Sequence, residues 1–224
     1  VNEDEMAEAY CAHLVESVNA DAIRTARFRI VFDAGNGTTG PIAAKLFAEL
    51  GIEATGLFID PKEQPDRDSE CIPENCTAAI VLTSSNVTLF DLGIAVDGDG
   101  DRGMFISPAT AALGTALDGD VVAGIFAKWM LGAGDVCVTP VTSGTLTAEL
   151  CKRVGARVEY CRVGQPDTGR ATKQFDATFF HEAASNKFGF TEFSLGYDAL
   201  FALLKMLEIM ALRHTSLNQL VAKL

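Results

Sequence analysis

The chain has no run of about 18 consecutive apolar residues, the length a helix needs to cross a bilayer, so no membrane span is expected. It is also short of basic residues. Its 18 lysines and arginines face 30 aspartates and glutamates, a formal net charge of −12. Broad binding to nucleic acid or to an anionic membrane needs a basic surface and is excluded on that ground. A small phosphorylated ligand is not excluded, because one arginine or lysine beside a metal outweighs the distant field. Paired cysteine motifs are missing too. The six cysteines, at positions 11, 71, 76, 137, 151 and 161, form no C-x-x-C pair. They read as thiols of a reducing compartment rather than a disulfide framework. Three Asn-x-Thr triplets, at Asn36, Asn75 and Asn86, follow no recognisable secretory leader and are read as chance matches. The cytoplasm is the expected location.

What is present is a globular composition. Apolar residues make up 48% of 224, enough to bury one large domain or two of ordinary size. Apolar spacing predicts a helix over residues 6–26, then a compact strand over 28–32. A helix from Pro41 to about Leu50, capped by Gly51, leads to a strand over 52–58. This is a β-α-β unit, which implies parallel strands. Residues 60–76, with Pro61, Pro65 and Pro73, read as loop, and a helical stretch runs to about Phe90. A buried strand over 91–96 delivers an acidic loop, and a second strand follows over 103–107.

The second half repeats the plan after a weakly patterned stretch at 108–117, where a domain boundary is placed. Asp118 caps a helix to Met130, and a strand follows over 136–138. A helix to Val154 is capped by Gly155, and a strand runs over 157–161. Gly40, Leu46, Leu50 and Gly51 recur as Gly144, Leu150, Val154 and Gly155, all offset by 104. That echo points to two related three-layer α/β domains. A last strand is expected over 176–180, and a strongly amphipathic helix over 196–212.

The acidic loop is Asp97-Gly98-Asp99-Gly100-Asp101-Arg102. Carboxylates at alternating positions converge on one cation if the chain between them turns tightly, and Gly98 and Gly100 permit that turn. Oxygen-only ligation suits magnesium, which keeps positions open for a substrate phosphate. A calcium EF-hand would need glycine and glutamate where Arg102 and Pro108 stand, so that reading fails. A haloacid-dehalogenase-type phosphatase would use Asp97 as nucleophile and Asp99 as acid, but it normally has threonine or valine in place of Asp101.

The segment from Gly93 to Arg102 resembles the metal-binding loop of the α-D-phosphohexomutases, the phosphomannomutase/phosphoglucomutase family. Phe32 to Gly40 resembles the strand-turn that opens that family's second domain, and Val163-Gly164-Gln165 the V-G-x turn of its third. His181 to Phe188 occupies the place of the sugar-recognition loop. The resemblance implies two tandem three-layer α/β/α domains with mixed, mainly parallel sheets. A linking helix would occupy residues 1–26, the second family domain 27–114 and the third 115–224.

It also implies roles for particular residues. Asp97, Asp99 and Asp101 would hold Mg2+, and Arg102 would be catalytic, its planar fork on the transferring phosphoryl group. Gly164, Gln165, Glu182, Ser185 and Lys187 would bind a phosphorylated hexose. The implied reaction moves phosphate between the 1- and 6-positions through a bisphosphorylated sugar. The family's first-domain phosphoserine loop, T-x-S-H-N-P, is absent, with only a faint echo in Thr83-Ser84-Ser85-Asn86. Its fourth-domain clamp, R-x-S-G-T, is absent too. The chain is therefore expected to be a fragment that turns over nothing alone, or else a non-catalytic binding module or split subunit that another chain completes. The sugar loop departs from G-E-x-S-G-H by an extra residue and by Lys187 where histidine often sits, so mannose, glucose and glucosamine stay open.

Gly35-x-Gly37-x-x-Gly40 matches the dinucleotide fingerprint literally, but Asp33 stands where a pyrophosphate would come, and a structural turn is expected. His181 and Glu182 follow Phe179-Phe180, either on a surface loop or at the ligand.

Overall fold

The stretch expected as a single opening helix is broken by a second N-cap. In the computed structural model, which describes residues 2–85 and 89–224, α1 (Glu3–Glu16) ends before Asn19. The Asn19 side chain accepts from Ala22 N–H and starts α2 (Ala20–Ala26). Asn86, with its triplet and the end of the Thr83–Asn86 echo, lies outside the described residues.

The first sheet is built from β1 (Arg29–Asp33), β2 (Glu53–Leu57), β3 (Leu92–Val96) and β4 (Gly103–Ile106). Its order is β2-β1-β3-β4, parallel except for β4. α3 (Thr39–Leu50) connects β1 to β2, and α4 (Thr77–Ser85) precedes β3. After α5 (Pro108–Ala112) and α6 (Gly119–Met130) the plan repeats. The second sheet contains β5 (Val136–Pro140), β6 (Arg157–Cys161), β7 (Phe179–Glu182) and β8 (Lys187–Phe190), in the order β6-β5-β7-β8 with β8 antiparallel. α7 (Leu146–Val154) and α8 (Gln165–Phe175) lie between its parallel strands, and α9 (Ala199–Arg213) and α10 (Leu217–Ala222) close the chain. These are two tandem α/β/α domains with mixed sheets. The 104-residue echo is the pair of caps: Gly51 and Gly155 both end a helix in the left-handed region, at φ 64° and 82°.

Three elements differ from the sequence reading. The last strand is two, because β8 follows β7 across a 3-10 turn at Ala183–Ser185. α8 stands where only a turn was read. α9 is buried on nearly every side instead of along one stripe, because it packs against α2, β4 and β8, between the two sheets. The stretch at 108–117 carries α5, and its last residue, Leu117, is buried in the common core with its N–H donating to Phe105 O.

The sheets share that core. Phe126 of α6 meets Phe105 of β4, Phe179 of β7, and Phe188 and Phe190 of β8, with ring centroids 5.1–6.3 Å apart at steep angles. Each such pair contributes about 0.5–1.5 kcal/mol beyond burial. The loops leaving β3 and β7 are therefore carried on one continuous hydrophobic core. Gly119, at the start of α6, lies so close to the Ala183 carbonyl that a Cβ there would run into it. Gly119→Ala is expected to cost about 1–3 kcal/mol of stability, read as a lower urea midpoint, and to displace the turn between β7 and β8. An unchanged midpoint would mean that α6 and the β7–β8 turn move apart to admit the methyl group at no cost.

Candidate metal and sugar site

The site grows from the ends of β3 and β7. β3 is buried at all five positions and releases the chain at Asp97. Gly100 then adopts φ 74°, which closes the turn, and Gly100 N–H donates to Asp97 O. Gly98 does not take a positive φ. What matters there is contact, since Gly37 lies against the Gly98 backbone and Thr38 N–H donates to Gly98 O. The turn brings one carboxylate oxygen from each of Asp97, Asp99 and Asp101 within 4.8 Å of the others. Asp97 is buried and Asp99 exposed, so the cluster opens to solvent on one side.

Burial pushes the Asp97 pKa up to about 6. The Arg102 N–H, 3.1 Å from its Oδ1, works against that, and the charges of Asp101 and Asp99 add to it. Arg102 Nε lies 3.4 Å from Asp97 Oδ2 and 3.7 Å from Asp101 Oδ1. Asp101 Oδ1 is buried and, among the described residues, accepts no hydrogen bond. An orphaned carboxylate oxygen inside an all-oxygen cluster is the arrangement a hard divalent cation would complete.

The second domain closes over this loop. Lys187, first residue of β8, places Nζ 2.6 Å from Asp101 Oδ2 and 5.7 Å from the centre of the Tyr197 ring. Gly103 N–H donates to Asn186 O, and Ala199 N–H, at the start of α9, donates to Gly100 O. The acidic loop and the start of β4 are thus joined to the second domain by an ion pair and two backbone hydrogen bonds, one to the β7–β8 turn and one to the start of α9.

Glu182 ends β7 and accepts from Thr168 Oγ1 at 3.1 Å. Gly164, at φ 119°, is the N-cap of α8, with Gln165 as its first residue. Thr168 therefore ties Glu182 to the first turn of that helix. Ser185 closes the 3-10 turn. Among the described residues, neither the Gln165 nor the Ser185 side chain hydrogen-bonds to the acidic loop. His181 is not on a surface loop: it is fully buried within β7, stacked on Phe179.

The dinucleotide fingerprint is a structural turn. Gly35 lies against Arg67, Gly37 against Gly98 and Gly40 against Ile59, so the protein's own atoms fill the space a cofactor would need. Reading the sequence missed Arg67, Thr168 and Tyr197. Asp33 carried a signal for the first, because a carboxylate ending a buried strand must find a cation.

Two family models match the chain. One, for the α/β/α domain II of phosphoglucomutase/phosphomannomutase, covers residues 8–114, and the other, for domain III, covers 118–224. The chain belongs to the phosphoglucomutase/phosphomannomutase family. It is 26% identical over 227 residues to a phosphoglucomutase/phosphomannomutase of Thermococcus kodakarensis, covering 100% of this chain and 48% of that protein. It is 32% identical over 203 residues to a phosphoglucosamine mutase of Haemophilus influenzae, covering 87% and 43%. The fold is that of a family protein from Burkholderia thailandensis, at TM-score 0.82 and 24% identity, covering 96% of this chain and 46% of that one. An Aspergillus fumigatus N-acetylphosphoglucosamine mutase, solved with GlcNAc-6P and magnesium, superposes at TM-score 0.70 and 16% identity, covering 95% and 49%. The chain spans about half the length of the curated relatives it matches. No described helix is long and apolar enough to cross a membrane.

Proposed function

We propose that this chain supplies the cation- and sugar-binding domains of a phosphohexomutase, which moves phosphate between the 1- and 6-positions of a hexose. The observation that carries this is the convergence of Asp97, Asp99 and Asp101 beside Arg102, with Lys187 reaching them from the second domain. The three aspartates would hold Mg2+, which when bound supplies positive charge next to the transferring phosphoryl group. Arg102 offers a planar, permanently charged fork to the same group.

Glu182 accepts from a sugar hydroxyl, its carboxylate held in place by Thr168. Ser185 lies in the adjoining turn and exchanges a hydrogen bond with another hydroxyl. Gly164 and Gln165 present the first N–H groups of α8, where a helix start favours an anion or a hydroxyl oxygen. Lys187 supplies an ammonium beside Asp101 that reaches a phosphate or ring oxygen. The relatives named for glucose, mannose and glucosamine phosphates leave the hexose open among those three. The T-x-S-H-N-P and R-x-S-G-T segments are not in these 224 residues, so the phosphoserine and the fourth-domain phosphate clamp come from elsewhere. Residues 1–224 alone are expected to bind without turning over.

Calorimetric titration of glucose 1,6-bisphosphate into the chain tests this. Binding is expected only with Mg2+ present. Glu182→Gln and Lys187→Met, each removing one charge-assisted hydrogen bond, are expected to weaken it about tenfold or more. Failure to bind, or binding indifferent to both changes, would overturn the assignment.

A further inference from the structure

We propose that Arg67 is a positioning residue of the cation site, acting through the backbone that delivers Asp97. This rests on the reading that Asp97, Asp99 and Asp101 hold a divalent cation. Arg67 comes from the long loop between β2 and α4, yet its side chain is only 5% exposed and its partner Asp33 is fully buried. Nε lies 3.0 and 3.1 Å from the two Asp33 oxygens, at the end of β1. Nη2 donates to Val96 O at 2.6 Å, and Nη1 to Asp68 O at 2.7 Å. One planar group thus joins the ends of two neighbouring strands and the loop that covers them.

The Val96 carbonyl belongs to the peptide bond that leads into Asp97. A donor fixed on that oxygen sets the orientation of the peptide plane, and with it the direction in which the most buried carboxylate of the triad leaves the backbone. Gly35 leaves the space for this, since a Cβ there would lie 2.8 Å from Arg67 Nη2 and 3.1 Å from Val96 O. Asn36 holds the covering loop from the other side: its Nδ2 donates to Asp60 O and its Oδ1 accepts from Asp66 N–H, next to Arg67.

Stability alone does not require this pair. Buried ion pairs can often be replaced by apolar residues at no loss, because desolvation cancels most of the attraction. Nor does Arg67 work as a charge on the cation, since Asp33 neutralises it at contact. What arginine offers that lysine does not is three donors in fixed directions, aimed at three acceptors at once. Its contribution is geometric.

The experiment is Mn2+ binding to the 1–224 chain, followed by electron paramagnetic resonance, in the wild type and two variants. Arg67→Lys keeps the charge and loses the fork. Asp33→Leu combined with Arg67→Met removes the buried pair as a unit, so the fold survives while Val96 O loses its donor. Both are expected to weaken Mn2+ binding about 10–100-fold, the range for groups that orient metal ligands, with a broadened bound-Mn2+ spectrum and an unchanged circular dichroism spectrum. Wild-type affinity in a folded double variant would overturn the role of Arg67 while leaving the cation site intact. No Mn2+ binding by the wild type would overturn the cation site itself, and this inference with it.

Discussion

Asp97→Asn is expected to weaken Mg2+ or Mn2+ binding at least about 100-fold and, in the same protein, to raise the melting temperature measured without metal. Both effects have one cause. Asp97 is buried at the root of the loop, where desolvation, followed by the charges of Asp101 and Asp99, disfavours its ionised form. An amide removes that penalty and still accepts from the Arg102 N–H on the same side. It can offer an oxygen to a cation but no charge, and hard divalent ions are held by charged oxygens. Losing a direct ligand charge should exceed the 10–100-fold cost of disturbing a group that merely orients one. The check is a pair of melting curves, with and without millimolar Mg2+. The wild type should melt higher with metal, by linkage, and the variant should not. A variant whose melting point rises with Mg2+ as much as the wild type's would remove Asp97 from the site.

Most of the fold was legible because most elements obey local rules. The caps at Gly51, Asp118 and Gly155 stand where the residue types predict them. The strand over Leu92–Val96 and the Val136–Val138 stretch of β5 are apolar and buried, as central strands covered on both faces must be. The failures have physical reasons too. α8 reads Gln-Pro-Asp-Thr-Gly-Arg-Ala-Thr-Lys-Gln-Phe, and it buries Thr168, Ala171 and Thr172, small residues that make no apolar stripe. β8 contains Gly189, which reads as loop, yet glycine is what fits there because the Phe180 ring occupies the place of a side chain. α9 gave the wrong exposure because a helix buried between two sheets needs no polar face.

The candidate site divides the same way. The aspartates lie within five residues of one another, so spacing alone could bring them together. Arg67 and Asp33 are 34 residues apart and meet only because the loop after β2 folds back over the ends of β1 and β3, which are neighbours in the sheet. In sequence, Arg67 is one more charge in a charged loop. Lys187 was legible as a departure from the sugar-loop pattern, but its ion pair with Asp101 spans 86 residues and depends on how the two domains pack.

His181 makes stability depend on pH below neutrality, and the sign follows from its burial. The ring is enclosed within β7. It stacks on Phe179 with centroids 5.4 Å apart, and Nδ1 lies 3.4 Å from Thr139 Oγ1. Nε2 is buried with no hydrogen-bond partner among the described residues. Desolvation alone lowers its pKa to about 3. Since the folded value lies below the unfolded one of about 6.5, the unfolded chain takes up the proton first as pH falls. The contribution of this residue is fully present above pH 6.5 and is lost on acidification, at up to about 1.4 kcal/mol per pH unit, until about pH 3. The raised pKa values of Asp33, Asp97 and Asp198 act in the opposite sense, since their contributions grow as pH falls, so the wild-type profile alone would mix the two. His181→Asn isolates the histidine: the amide keeps a polar group near Thr139 and does not titrate. Between pH 7.5 and 5.5 the wild type should lose about 1.4 kcal/mol more than the variant, read from urea midpoints at the two pH values. Parallel profiles would mean that His181 protonates within the fold. Because His181 immediately precedes Glu182, acid that opens this strand should also release the carboxylate proposed to hold the sugar.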